Sequence, residues 1–232
     1  MRTLSSADVL DLWEQGVPLL PLDRGLLALG TADPRAAEDA ADWPLGRRNR
    51  ALLDLYAAWF GPRMPAWTSC PACGDKVEFE LDARELAATA IEPRENSVCV
   101  GEYTFRLPTS RDLAHVAVSG SASASNGLLQ RCRIGGPETL IADDEVLEAI
   151  EESLATADPL AELRLALSCP SCRRDWDDAF DIERFLWAEV EARARRVLWD
   201  VHTLATAYGW SESDTLALSA ARRAMYLQMV RA

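Results

Sequence analysis

The sequence is poor in positive charge and almost without lysine. Of the 24 basic residues in its 232, Lys76 is the single lysine and the rest are arginine. Against 37 acidic side chains this leaves a net charge of −13 and a pI near 4.6. Non-specific binding to nucleic acid or to an anionic membrane rests on Lys and Arg facing phosphates, so this balance argues against both. No run of residues nears the roughly 20 apolar positions of a membrane span. The opening Met1-Arg2-Thr3-Leu4-Ser5-Ser6-Ala7-Asp8 has one positive charge and then acid, unlike a secretory signal. Histidine occurs twice, as His115 and His202, both in helical patterns and neither near a plausible nucleophile. A Gly-rich phosphate loop, a Gly-x-Ser-x-Gly elbow and a His-Glu-x-x-His helix are all missing. These absences predict a non-enzymatic, cytoplasmic protein.

With 49% hydrophobic and 26% charged residues, the composition is that of an ordinary globular protein, which excludes disorder of the whole chain. The length suits one or two domains with a proper core.

Four of the six cysteines fall in two copies of one unit, Cys70-Pro71-Ala72-Cys73 and Cys169-Pro170-Ser171-Cys172. A Cys-x-x-Cys turn brings two sulfurs to one side of a tight loop, and two such turns supply the corners of a tetrahedron. In a reducing compartment such pairs hold metal more often than they form disulfides. The alternative, independent redox motifs, would place each pair at the start of a helix in a βαβ setting. The flanks read instead as strands: Val77, Phe79 and Leu81 alternate with charges, Leu163, Leu165 and Leu167 alternate with Glu162, Arg164 and Ala166, and Trp176, Phe180 and Ile182 share one parity. The prediction is a four-cysteine zinc ribbon of short antiparallel strands, with Cys70, Cys73, Cys169 and Cys172 on one structural Zn2+. Four thiolates close the coordination sphere and leave no place for substrate. Cys99 and Cys132 stand alone and are expected to be small buried hydrophobes.

Elsewhere the chain reads mostly as helix. Ser5 or Ser6 caps a first helix stopped near Gly16 and Pro18, a short one fits Arg24 to Leu29, and another runs from Arg47 to Phe60. Between the knuckles, Val98-Cys99-Val100 and Tyr103 to Leu107 flank Gly101-Glu102 as a hairpin. Thr109 or Ser110 then caps a helix, Ser119 to Gly127 reads as a small-residue loop, Leu128 to Ile134 as a helical turn, and Asp143 to Ala157 as an acidic helix. From about Ile182 an i, i+3, i+4 pattern continues to Tyr208 and stops at Gly209. Ser211 to Asp214 is a capping box, and Ser219 caps a last helix. The fold class is therefore α+β, mostly α-helical. It divides into a helical part at 1–63, a discontinuous ribbon at 64–82 and 162–182, an insert at 83–161, and a helical part at 183–232.

Several segments carry a family resemblance. They are Phe105-Arg106-Leu107-Pro108-Thr109-Ser110-Arg111-Asp112-Leu113, Leu128-Leu129-Gln130-Arg131-Cys132, Leu165 to Cys172, Phe180-Asp181-Ile182, Phe185-Leu186-Trp187, Val201 to Glu212, and Arg222 to Leu227. In this order they resemble the T-even-type phage baseplate hub assembly chaperone family, over about residues 65 to 232. The resemblance implies a non-enzymatic role in building the baseplate of a contractile phage tail or contractile injection system, with hub or spike proteins as partners. Trp67, Trp187, Trp199 and Trp210 are candidate surface anchors for such partners. The alternative is a zinc-ribbon nucleic-acid or transcription accessory protein. Its local support is the pair Arg222 and Arg223 in a C-terminal arrangement resembling a helix-turn-helix.

Overall fold

Ser5 opens the first helix as its side chain accepts the Asp8 amide at 3.1 Å and its own amide donates to Asp8 Oδ2 at 2.8 Å. The computed structural model describes residues 4–89, 96–119, 124–137 and 144–231. Helix α1 (Ser6–Gly16) is followed by α2 (Pro21–Ala32) and α3 (Pro34–Asp39), the latter two each starting on a proline whose fixed φ suits the first helical turn. Helix α4 (Leu45–Phe60) buries Leu52, Leu53, Leu55 and Tyr56 almost completely and stops at Gly61. The expected short helix at Arg24 to Leu29 is longer than its apolar pattern indicated, because Pro21 starts it about a turn earlier.

A first hairpin follows, β1 (Arg63–Ser69) with β2 (Lys76–Asp82), and then α5 (Ala83–Ala88). The insert continues with β3 (Ser97–Val100), β4 (Tyr103–Arg106), α6 (Ser110–Ser119), α7 (Ala124–Cys132), β5 (Arg133–Gly135) and α8 (Asp144–Ala157). The three short strands form one antiparallel sheet in the order β3-β4-β5. A second hairpin, β6 (Leu163–Ser168) with β7 (Asp175–Phe180), leads into α9 (Ile182–Tyr208), α10 (Glu212–Ala217) and α11 (Ala220–Arg231). The fold is α+β and mostly helical. Among the described residues no helix is long and apolar enough to cross a membrane.

Two local expectations change. Ala124 to Gly127 is helical, not loop, as the first turn of α7; residues 120–123 lie outside the described residues, as does Asp143. Arg133 to Gly135 leaves the expected helical turn and pairs with β4 as a strand.

The main core joins α1, α2, α4 and α5 to the first half of α9, with Met64 and Leu163 from the hairpins packed into it. At 27 residues, α9 runs about 40 Å and reaches from the ribbon to the far end of the body. Its Trp187 is 7% exposed, so this candidate anchor is a core residue. The ring occupies the space where a Cβ on Gly16 would sit, and Arg24 stacks over it at 4.7 Å. Trp210, in the turn between α9 and α10, is partly buried between Tyr208 and Tyr226, with ring centroids at 4.9 and 4.8 Å, and links the end of α9 to α11. Trp67 and Trp199 remain exposed.

The insert has its own small core of Tyr103, Phe105, Leu129, Cys132 and Ile150. Asp112 holds it together. Its carboxylate takes two bonds from Arg106 at 2.6 and 2.8 Å, one from Arg131 at 3.1 Å, and the amide and hydroxyl of Thr109. Burial raises this carboxyl, but the bonds from Arg106 and Thr109 outweigh it and hold it well below the usual carboxylate range. The stability it contributes is therefore full at neutral pH and lost as the pH falls through and below about 4. Asp112→Ala leaves two arginines facing a buried gap. We expect a loss of about 3 kcal/mol, seen by hydrogen exchange as lost protection in β4, α6 and α7. Unchanged exchange there would refute this role.

Cys132 is fully buried, as expected, and burial pushes its thiol up to about 11. Cys99 is exposed, contrary to expectation. On β3, Val98 and Val100 face the insert core, and strand alternation turns Cys99 the other way, 3.6 Å from Thr104 Oγ1. His115 and His202 lie exposed on α6 and α9.

Candidate metal centre

Each knuckle is a tight turn at the tip of a hairpin. The Cys70 amide donates to Asp75 O and the Gly74 amide to Cys70 O, both at 2.9 Å. In the second, Cys169 N donates to Arg174 O and Arg173 N to Cys169 O, again at 2.9 Å. The turn needs a left-handed residue after the second cysteine. Gly74 takes φ +76° there, and Arg173 takes φ +61°, the one non-glycine residue with positive φ among those described. A left-handed conformation costs an L-residue about 1–2 kcal/mol. Arg173→Gly is accordingly expected to raise stability, by about 0.5–1 kcal/mol after the extra chain entropy of glycine is counted. A denaturant titration checks it, and a lower midpoint in the variant would contradict it.

The structure brings the two knuckles face to face. Cys70 Sγ lies 3.6 Å from Cys172 Sγ, and Cys73 Sγ lies 3.7 Å from Cys169 Sγ. All four sulfurs fall within 4.8 Å of one another, and this group could hold a metal ion. The contacts run between knuckles and are far too long for a disulfide of about 2.05 Å. Cys70 and Cys169 are buried against Val77 and Trp176, while Cys73 and Cys172 lie at the surface.

The turns also supply the electrostatics. The Cys73 amide, directed at Cys70 Sγ, brings that thiol down to about 6. Cys73 receives the Asp75 amide, which favours its thiolate, yet partial loss of hydration and the neighbouring sulfurs drive it up to about 12. Cys172 is raised in the same way in spite of the Arg174 amide. Four sulfurs this close cannot all ionise by themselves, whereas a divalent cation at their centre removes the repulsion. No family model, curated protein or solved structure matches this chain.

Sequence reading found the four cysteines and missed what supports them. Asp82 caps α5 by accepting the amides of Arg84 and Glu85, and Asp181 caps α9 by accepting those of Glu183 and Arg184. The unit is therefore strand, knuckle, strand, capped helix, occurring twice. The offset that takes Cys70 to Cys169 also takes Cys73 to Cys172, Gly74 to Arg173, and Asp82 to Asp181. That constant offset was the available signal. It also explains Ile182, which parity assigned to the strand: the Asp181 cap makes it the first residue of α9, in the place Ala83 holds in α5. The two hairpins are tied beside the cluster by Thr68 Oγ1, which donates to Asp178 Oδ2 at 2.9 Å.

Of the C-terminal arginine pair, Arg222 is exposed and Arg223 is not. Arg223 is 7% exposed and ion-paired to Asp200 at 3.2 Å, so it is turned toward the body, away from any phosphate at the surface.

Proposed function

We propose that the chain is a non-enzymatic assembly factor or structural component of the baseplate of a contractile phage tail or injection system. In this reading it binds hub or spike proteins through a scaffold stapled by structural zinc. The observation that carries the zinc is the cross-knuckle sulfur spacing. Tetrahedral zinc with Zn–S of about 2.3 Å has sulfur–sulfur edges of about 3.8 Å, against the 3.6 and 3.7 Å found here. An all-thiolate set is also soft, which suits zinc and disfavours magnesium or calcium. All four positions are filled by protein, so the metal acts as a brace and not as a reaction centre.

The partner side rests on the resemblance of Phe105 to Leu113, Val201 to Glu212 and the segments between to the baseplate hub assembly chaperone family. It is consistent with Trp67 and Trp199, 64% and 63% exposed, as aromatic anchors on a braced body. Elemental analysis should give one zinc per chain; no zinc, with four thiols freely titratable under native conditions, would remove the staple. Capture of hub or spike proteins from cells expressing the whole contractile cluster, and defective baseplates by electron microscopy after deletion of the gene, are the expected functional results. Normal baseplates after deletion would defeat the assembly role. A steeply salt-dependent shift of DNA would favour the nucleic-acid alternative in its place.

A further inference from the structure

An acid-rimmed cleft of about 650 Å³ opens between α6, α7 and α8 of the insert and the start of α4. Leu113, Leu128 and Leu154, each only partly buried, give it an apolar wall, and Leu45 and Asp158 are buried at its inner end. Concave apolar sites of this size are where proteins take up ligands and partner side chains. Glu151, Glu152 and Glu162 stand exposed at the rim, and among the described residues no basic side chain lines the cleft. Glu162 is paired with Arg164 at 2.9 Å, so Glu151 and Glu152 carry the rim's negative charge.

Two helices of the chain have opposite charge. Helix α8, which supplies Glu151 and Glu152, carries five acids and no base. The undescribed internal stretches, 90–95, 120–123 and 138–143, hold one base, Arg94, against four acids, so they add no net positive charge. Helix α11 carries three arginines and no acid, and among the described helices it alone has more than one base and no acid. Arg222, Met225 and Met229 share one face of α11 along about 10 Å of its axis. Arg222 is exposed, and the two methionines are 54% and 59% exposed. The other face is engaged: Leu227 is buried, and Arg223 bonds Asp200 at 3.2 Å and Ser6 Oγ at 2.8 Å. These contacts hold α11 on α9 and α1, and none of its residues lines the cleft.

We infer that the cleft is the docking site for α11 of a second copy of this chain, with Met225 and Met229 against the leucines and Arg222 facing Glu151 and Glu152. Charge complementarity selects this occupant: an acidic, apolar cleft meets a helix face that joins exposed apolar side chains to a cation. An apolar helix face laid into a groove is a recurring mode of recognition, and methionine adapts to an irregular wall. The two surfaces differ, so the contact is heterologous. Copies add head to tail, closing into a ring or extending as a filament according to the rotation between them. The contact is separate from the four-sulfur cluster and does not depend on the baseplate reading.

The test is sedimentation velocity on the full-length protein at about 0.15 M salt, where the repulsion between chains of net charge −13 is screened beyond about 8 Å. One helix in one cleft is a small interface, so mass is expected to rise between about 10 µM and about 1 mM. Two double variants, both at exposed positions, each disable one surface: Glu151→Arg with Glu152→Arg in the cleft, and Arg222→Glu with Met225→Glu on α11. Each alone should weaken self-association by about tenfold or more and leave the melting temperature unchanged. Mixed together, they should form a 1:1 dimer of twice the 25.5 kDa chain and nothing larger, because one intact cleft then meets one intact α11. A wild-type chain that stays monomeric to about 1 mM, a variant that still self-associates like the wild type, or a mixture that stays monomeric would each overturn the assignment. A monomeric chain whose cleft takes up a foreign basic amphipathic peptide would overturn it too, in favour of another protein as occupant.

Discussion

Cys73→Ser, or treatment with a strong chelator, is expected to melt the whole protein and not one loop. The two knuckles close a loop of about 95 residues, and by analogy with disulfides an uncrosslinked chain would gain about 4–5 kcal/mol of entropy on opening it. Metal bound only in the folded state adds its binding free energy to folding. Three pairs of neighbouring residues make the effect global. Met64 and Leu163, at the bases of the two hairpins, are part of the main core. Asp82 and Asp181 start α5 and α9 directly from the hairpins. Thr68 and Asp178 join the hairpins to each other. The expected loss exceeds about 4 kcal/mol, a large share of the total stability of a domain this size. Helical circular dichroism and near-ultraviolet signals should fall together as temperature rises, at a much lower midpoint than in the untreated protein. A melting curve unchanged by both the chelator and Cys73→Ser would show that the four sulfurs brace nothing.

The second large effect is expected at Arg48, near the start of α4. This side chain is buried and ion-paired to Glu183 at 2.9 Å, with 6% and 9% of the two side chains exposed. It also donates to Ser110 Oγ at 2.8 Å and to Asn49 Oδ1 at 2.9 Å. Asn49 in turn donates to Leu160 O at 2.7 Å, and the Gly46 amide donates to Asp158 Oδ2 at 2.9 Å. This network seats the insert, through Ser110, Asp158 and Leu160, on the helical body. Arg48→Met roughly keeps the volume but leaves Glu183 as an uncompensated buried acid, a change that costs about 3–5 kcal/mol.

The pH dependence identifies the cause. Burial raises the Glu183 carboxyl to about 7, against an ordinary 4.5, even with Arg48 beside it. Between those values the folded state holds a proton that the unfolded chain releases. Stability from this group is therefore greatest below about 4.5 and declines as the pH rises toward 7. In Arg48→Met the cation that opposes burial is gone, so the decline should steepen and extend to higher pH. In Glu183→Gln this part of the slope should vanish. Melting temperatures of the three proteins at about pH 5 and about pH 8 decide it, and parallel profiles would mean that the pair is not coupled to folding.

Much of the local structure was legible because its causes are local. Ser5 with Asp8 and Ser211 with Asp214 form capping boxes within four residues, and Gly209 takes φ +68° where the apolar repeat of α9 ends. The hairpin strands showed themselves by alternation, and the cysteine spacing identified the four sulfurs that the structure gathers. Other features depend on what lies across from them. The exposed Cys99 and the buried Cys132 both have apolar or mixed neighbours in sequence and differ in which face of the insert they occupy. Trp187 and Trp199 lie on one helix; the first is covered because Gly16 lets α1 approach, and the second stays exposed.

The sequence by itself therefore determined most of the helices, the Ser5 and Ser211 caps, the two knuckles and the mostly helical α+β class, because hydrogen bonds within a few residues and the periodicity of apolar side chains are written along the chain. Only the tertiary structure decided which sulfurs face each other across the knuckles, that Arg48, Glu183 and Asp158 form one buried network under the insert, and that Arg223 turns inward onto Asp200 and Ser6. Each of these joins residues far apart in the chain, and its energy comes from desolvation and charge pairing that exist only once the chain has closed.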